Sequence, residues 1–593
     1  MIGDLLFRHI VLPLRRRLGA ARVPVWHHPD YRLPSSAIEG RTGLEPRRAD
    51  HVLTSLYEGH VIHRDDVHES PRATTSEILS VHAPGYVDSL HDARTLARIF
   101  AIDPDDLVVD ELLETVRLAC AGTIAAAREV LARGGAAMNL LGGFHHAGRT
   151  SGGGLCALND IAMAVAAVRA EGFAGPVAII DVDAHPPDGL GECFENDPEV
   201  WIGSLSGSDW GPLPKGVDET VLPRGTGDAA YLEALERLLA RRPEAALAFV
   251  IAGGDVLAGD RLGVLGLTLD GARRRDARVF QALGRTPSVW LPGGGYHDDA
   301  WRIFAGVGLV LAGRPTDKVR PDDPLAARFQ RVAQGLDAQR LQMDDAGNSF
   351  SMDDIMAELE RRPRESRLLG FYSAAGVMYV WERYGLAGHV ERLGFKNLRV
   401  VVDRASVGDR ERIFGTADGK EHLLVELVVE KKHLAGHELL FVHWLNLRNP
   451  RGAANRPLLP GQDVPGLGIV RDVAELLERM AARVGLEGVA FRPASYHLAY
   501  AARSRFRFLD SARQGRFEAL LRDLNDLPLP AATIAVSVGR MYMNGEPYAW
   551  EPDDMVTLGV APDDAEAVAA VRDAAHFTPA PDSAVQPLKP AGS

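Results

Sequence analysis

The sequence predicts an α/β protein in two parts, a domain with a largely parallel sheet followed by a smaller α+β domain. From Pro24 to Gly313, helical stretches alternate with short apolar runs that each end in a polar or glycine-rich segment, the arrangement of strands joined by helical crossovers. Beyond residue 351 the pattern changes to strand-like runs separated by turn residues. Between them lies a polar stretch carrying Pro315, Pro321 and Pro324, which marks a boundary.

In chain order, residues 1–24 form an N-terminal segment that mixes Leu5, Leu6, Phe7 and Ile10 with Arg15, Arg16 and Arg17. Arg8 and His9 break its apolar stretch, and the basic cluster follows that stretch instead of preceding it. A surface segment fits this order better than a secretory signal. The first domain spans 25–313. Helical spacing covers 112–133 and 160–169, so 142–154 is a loop between helices. The runs 177–180, 248–251 and 288–291 are short, apolar and rich in β-branched or aromatic residues, which predicts central strands. Residues 314–351 are read as a partly helical linker. Within the second domain, 352–577, strands are predicted at 398–403, 412–414, 423–430 and 439–447, with Asp418-Gly419 as a hairpin turn. The Pro- and Ala-rich stretch 578–593 is read as a disordered tail.

Charge and cysteines restrict the function classes. A net charge of -14 over 593 residues argues against general affinity for nucleic acid or an anionic membrane, which needs a large basic face. No apolar run approaches bilayer length. Cys120, Cys156 and Cys193 are odd in number and lack CxxC spacing, so neither a disulfide framework nor a structural zinc knuckle is expected, and a reducing cytoplasm suits the chain.

Chemistry concentrates in four segments. Asp181, Asp183 and His185 follow an apolar strand; in extended backbone they share one face and offer oxygen and nitrogen donors to a divalent metal. His145 and His146 sit in the glycine-rich loop Leu141-Gly142-Gly143-Phe144-His145-His146-Ala147. Asp255 ends another apolar strand, where a buried acid needs a partner or a metal. In Pro292-Gly293-Gly294-Gly295-Tyr296, glycines after a third strand can present a phenol to a reacting oxygen.

These segments, in this order and spacing, resemble the arginase/deacetylase fold, and specifically the histone deacetylase and acetylpolyamine amidohydrolase family, over about residues 25–320. Val81-His82-Ala83-Pro84-Gly85-Tyr86-Val87 resembles that family's early VHxxxYV segment, and Gly154-Leu155-Cys156-Ala157-Leu158-Asn159-Asp160 its GFCxxND segment. The resemblance implies a three-layer fold and a zinc-dependent (or iron(II)-dependent) deacetylase acting on acetyl-lysine in protein or on a small acetylated amine. It makes Asp183, His185 and Asp255 the metal ligands and leaves coordination positions open, as a catalytic site requires. It makes His145 and His146 the tandem histidines, with Asp181 and Asp188 as their carboxylate partners and His146 as principal base. Tyr296 becomes the oxyanion donor. It places Arg48 near an internal acetate pocket, Gly154, Leu155, Leu213 and Leu262 along the substrate tunnel, and a structural potassium ion at Asp181 and Ser204-Leu205.

Three positions depart from the family pattern. Leu155 and Leu213 stand where aromatic tunnel walls are usual, which points to a different grip on the acyl chain. Pro186 replaces a second histidine after His185, and Pro186-Pro187 stiffens the loop that carries Asp188. Two other readings compete: a binuclear manganese ureohydrolase, disfavoured because Val256 and Leu257 follow Asp255, and a non-catalytic binding module, disfavoured because every named role is retained.

In the second domain the strand 439–447 is followed by Gly461-Gln462-Asp463-Val464-Pro465-Gly466-Leu467-Gly468 and then a helix. This resembles the coenzyme A loop of GNAT-type N-acetyltransferases. The resemblance implies a cofactor loop at Gln462, Gly466 and Gly468, with backbone amides at the helix start receiving a pyrophosphate, and hence a bifunctional chain. A glycine turn that only caps and packs the helix is favoured over cofactor binding, because a lone glycine motif is a weak signal.

Overall fold

Residues 177–181, Val-Ala-Ile-Ile-Asp, are wholly buried and apolar until the last position, as a strand covered on both faces must be. In the computed structural model this strand is central. The structure describes residues 23–580 apart from 34–37, 39–41, 105–106, 320–322, 344–365, 453–457, 460, 525–526, 528, 538 and 563. The readings at residues 1–22, 344–365 and 581–593 therefore lie outside the described residues. The chain divides into two compact units, Met1–Pro324 and Leu325–Ser593.

The first unit is built on eight strands: β1 (Val25–His27), β2 (Val67–Glu69), β3 (Ala136–Asn139), β4 (Val177–Asp181), β5 (Val200–Ser206), β6 (Val217–Val221), β7 (Leu247–Ile251) and β8 (Ser288–Leu291). They pair in the order β2-β1-β3-β8-β7-β4-β5-β6, every neighbour parallel. The expected strands 177–180, 248–251 and 288–291 are β4, β7 and β8. The expected helices are Val109–Arg133 and Asp160–Ala170, and the loop before the second is preceded by β3. Asp181 pairs with Ile251 on one side and Ser204 on the other, so the polar ends of β4, β5 and β7 emerge together at the carboxyl edge of the sheet.

Fully buried Ile179, Ile180, Phe249, Val250 and Trp290 anchor these strands, each side chain contributing about 2 kcal/mol of transfer free energy. Arg275, from the helix Leu269–Leu283, fastens the strand ends from behind. Its Nη1 donates to the carbonyls of Val182 (3.0 Å) and Gly253 (2.8 Å), and Asp276 accepts its Nε.

The second unit contains β9 (Lys396–Arg404), β10 (Asp409–Ala417), β11 (Lys420–Leu434), β12 (His437–Leu447), β13 (Gly488–Phe491), β14 (Phe506–Phe508), β15 (Met541–Met543), β16 (Glu546–Tyr548), β17 (Met555–Thr557) and β18 (Phe577–Pro579). A seven-stranded sheet runs β14-β17-β13-β12-β11-β10-β9, and β16-β15-β18 form a small second sheet. Only the β12–β13 pair of the larger sheet is parallel. Asp418 and Gly419 both have positive φ (51° and 73°) between β10 and β11, as a two-residue hairpin requires. Two boundaries move. The helix Pro324–Gln334 lies in the stretch read as linker, yet Phe329 and Leu341 are fully buried in the second core, so that stretch contributes packing residues. At the tail, Phe577 is buried and β18 pairs with β15, so residues 578 and 579 are strand and not disordered tail.

Candidate active site

The proposed ligands converge beyond β4 and β7. One donor atom from each of Asp183, His185 and Asp255 lies within 4.8 Å of the other two. His185 Nδ1 is 2.9 Å from Asp255 Oδ2 and 3.2 Å from Asp183 Oδ1. Backbone amides aim the carboxylates: Gly294 N–H donates to Asp183 Oδ2 (2.7 Å), and Ala184 N–H to Asp255 Oδ1 (2.9 Å). Gly294 has to be glycine, since a Cβ there would lie 2.4 Å from Asp255 Oδ2. Both carboxylates are fully buried. Burial alone would lower the His185 pKa, but its hydrogen bonds to Asp183 and Asp255 outweigh that and push it up to about 11. Two buried acids against one imidazole leave an excess of negative charge, and that donor set fits a divalent cation.

The tandem histidines stand beside this trio. His145 Nδ1 is 2.7 Å from Asp181 Oδ2, and His146 Nδ1 is 2.7 Å from Asp188 Oδ1. The expected pairings therefore hold despite Pro186-Pro187. The two environments push the imidazoles apart. Burial disfavours charge on His145, yet Asp181 and Asp183 raise it to about 9, whereas burial and then the neighbouring His145 lower His146 to about 4 against the pull of Asp188. Near neutral pH the uncharged imidazole of the pair is therefore His146.

Tyr296 is buried at the end of the glycine run after β8. Its N–H donates to Asp260 Oδ2 (2.7 Å), and Asp260 Oδ1 accepts the amides of Leu262 and Gly263. Burial, then Asp255 and Asp183, hold the phenol well above its usual pKa, so it is a neutral hydrogen-bond donor. Arg48 opens the helix Arg48–Glu58 and donates through Nη2 to Gly293 O (2.9 Å). It lines a small internal cavity with Leu140, Pro292, Gly294, Trp301 and Phe304.

Gly154 lies against the His146 ring; a Cβ there would be 2.2 Å from Cδ2, and its φ is +52°. Leu155 also has positive φ (65°), a strained conformation for a leucine. Trp210, not Leu213, stacks on His146, with centroids 4.9 Å apart, and stands 5.8 Å from His185. Leu213 is three residues further along the same loop and only half-buried. Gly207, Gly211 and Gly216 punctuate that loop, the last two at positive φ. Leu262 is 42% exposed, on the turn held by Asp260.

Ser204, the register partner of Asp181, is fully buried, and its Oγ is without a hydrogen-bond partner. An orphaned hydroxyl beside a buried carboxylate suits a monovalent cation. In the second unit, Gln462, Gly466 and Gly468 lie between β12 and the helix Val470–Arg483, with Gly468 at φ +72°. At the same end Asp463 pairs with Arg448, and the helix's first turn carries Arg471 and Asp472.

Sequence reasoning gave no role to Asp160, Arg275 or Trp210. Asp160 takes the amides of Gly143 (3.0 Å) and Phe144 (2.8 Å) and the Thr123 hydroxyl, and so anchors the histidine loop. Its signal was its place in the GFCxxND-like segment. Arg275 had none, being one of several arginines on an ordinary helix.

Residues 43–307 match the family described as Histone deacetylase domain. The chain is 30% identical over 300 residues to Histone deacetylase 2 of Arabidopsis thaliana, covering 48% of this chain and 77% of that protein. It is 33% identical over 295 residues to an uncharacterized protein of Picosynechococcus, covering 47% and 95%. Among solved structures, an HDAC homolog from Aquifex aeolicus aligns with TM-score 0.42 at 25% identity, over 49% of this chain and 84% of that one. The chain belongs to the histone deacetylase family.

Proposed function

We propose that the first unit is a metal-dependent deacylase that hydrolyses the N-acetyl, or another acyl, amide of protein lysine or of a small acetylated amine, releasing amine and carboxylate. The convergence of Asp183, His185 and Asp255 within 4.8 Å, next to two carboxylate-held histidines, carries this reading. A divalent ion held by the three ligands, zinc or iron(II), supplies Lewis acidity toward water and the amide carbonyl. His146 accepts the proton of the attacking water. Tyr296 donates a hydrogen bond to the oxyanion as the carbonyl becomes tetrahedral. The histidine pair then returns a proton to the departing nitrogen. Arg48 faces the internal cavity that would receive acetate, and Asp181 with Ser204 would hold potassium. Val256 and Leu257 after Asp255 leave no paired Asp-x-Asp for a second metal, which disfavours the ureohydrolase reading. The cytoplasm suits three free, buried cysteines.

The test is turnover of metal-reconstituted protein on acetyl-lysine peptides, acetylated polyamines and longer acyl-lysines. Hydrolysis of none of the three would overturn the enzymatic reading in favour of a binding module.

For the second unit we propose an acetyltransferase-like sheet with a coenzyme A loop at Gln462, Gly466 and Gly468. One observation favours it. β12 pairs with β13 only from Leu439 to Val442, so its remainder to Leu447 leaves the parallel pair ahead of the helix start. Calorimetry of the full chain with acetyl-coenzyme A at millimolar concentration decides: absence of heat leaves a packed glycine turn.

A further inference from the structure

His82 lies outside the cleft, between the short helices Thr75–Leu79 and Pro84–Ser89, and is 1% exposed. Its Nδ1 is 2.9 Å from the carbonyl of Gly148, and the amide of Asn159 donates to its Nε2 at 3.0 Å. A carbonyl only accepts and an amide N–H only donates, so the ring is fixed as the neutral tautomer protonated at Nδ1. Burial pushes the imidazole down to about 4, with Arg149 adding to that and the Gly148 carbonyl opposing it, so it stays neutral at working pH. Tyr86 also lies against the ring, and its hydroxyl donates to Ala157 O at 2.7 Å.

The two bonds close a ring of contacts around the histidine loop. Asn159 Nδ2 donates to Ala147 O (2.8 Å), while its Oδ1 caps the helix Asp160–Ala170 through Ala162 N–H. Asp160 holds the amides of Gly143 and Phe144. Ala83 N–H donates to Arg149 O (2.9 Å). Residues 143, 144, 147, 148 and 149 are therefore held on both sides of His145 and His146. His82 ties the Gly148 carbonyl to the residue that caps the helix, next to the direct bond from the Asn159 side chain to Ala147.

We infer that His82 is a positioning residue: by fixing the Gly148 carbonyl and the Asn159 amide at once, it sets where the His145–His146 pair stands relative to Asp183, His185 and Asp255. It touches no reacting atom. A displacement of about 1 Å in a catalytic group costs on the order of a hundredfold in rate, so loss of the clamp should be read in kcat. A side chain that served only to fill the core would instead lower stability and leave kcat unchanged. The inference rests on His145 and His146 being the acid–base pair; a His146→Ala variant that kept full turnover would remove that reading without bearing on the clamp's geometry.

The experiment compares the full-length, metal-loaded wild type with His82→Leu and His82→Gln. Leucine can form neither bond, and glutamine can restore one. The expected result is that His82→Leu keeps its metal and a KM within threefold of wild type while kcat falls at least tenfold, with His82→Gln in between. Hydrogen exchange of peptides covering 143–149 should rise in the same order. A His82→Leu protein with full metal and kcat within twofold of wild type would overturn the inference. So would loss of metal and fold in both variants, because the role would then be structural.

Discussion

Trp210 lies on His146 with ring planes inclined by only 22°, while 52% of its surface stays open to solvent. One face of the indole thus backs the proposed base, and the exposed remainder is available to a substrate. Replacing it removes a stacked wall worth about 1 kcal/mol in substrate contact. Trp210→Ala is expected to raise KM about fivefold to tenfold with a smaller change in kcat, and Trp210→Phe to recover most of it. Steady-state kinetics on an acetyl-lysine peptide checks this; an unaltered KM in the alanine variant would take Trp210 out of substrate recognition.

The ligand trio makes the second prediction. Asp183→Asn, His185→Ala and Asp255→Asn each remove one of three donors and should lose both bound metal and turnover, read by elemental analysis beside activity. Full metal occupancy in all three would sink the assignment.

The candidate ligands and the tandem histidines stood out in the sequence because each sits at a fixed offset from an apolar strand or in a short loop: Asp183 two residues beyond β4, Asp255 four beyond β7. Fully buried strands such as β4, β7 and β8 announce themselves by composition. β3 did not, since Ala-Ala-Met-Asn carries no β-branched residue, and neither did edge strand β6, whose Val-Asp-Glu-Thr-Val is half exposed and polar. Trp210 was missed because its position depends on the path of a glycine-rich loop, and Arg275 because its role is a long-range contact to two carbonyls 93 and 22 residues away. In the second unit the hairpin at Asp418-Gly419 was visible from two residues, but the crossover between β12 and β13 needs pairing that no local pattern encodes.

Tyr296 tests the oxyanion role. Its backbone amide, not its hydroxyl, holds it to Asp260, so Tyr296→Phe should fold normally and keep its metal. Turnover is expected to fall about a hundredfold or more, the scale of losing one oxyanion donor. Equal turnover in the two proteins would assign that donor elsewhere.

Glu411 concerns stability in the second unit. It is 3% exposed on β10 and takes a hydrogen bond from Trp381. The small cavity beside it is otherwise lined by apolar side chains, among them Val377, Leu427, Leu445 and Met480. With no cation in that lining, burial pushes the carboxyl from 4.5 up to about 7 against the modest pull of Trp381. A raised folded pKa means that the native state binds the proton more tightly than the unfolded chain does. Stability from this group is therefore complete below pH 4.5 and is lost as pH rises through 7, in total on the order of 3 kcal/mol. Glu411→Gln keeps the shape and an acceptor for Trp381 but cannot ionise. At pH 8 the glutamine variant should resist urea unfolding more than wild type, read by hydrogen exchange of β10 and β11, and at pH 4.5 the two should coincide. An identical pH dependence in both proteins would show that Glu411 is ionised without cost, and hence that a cation or water reaches it.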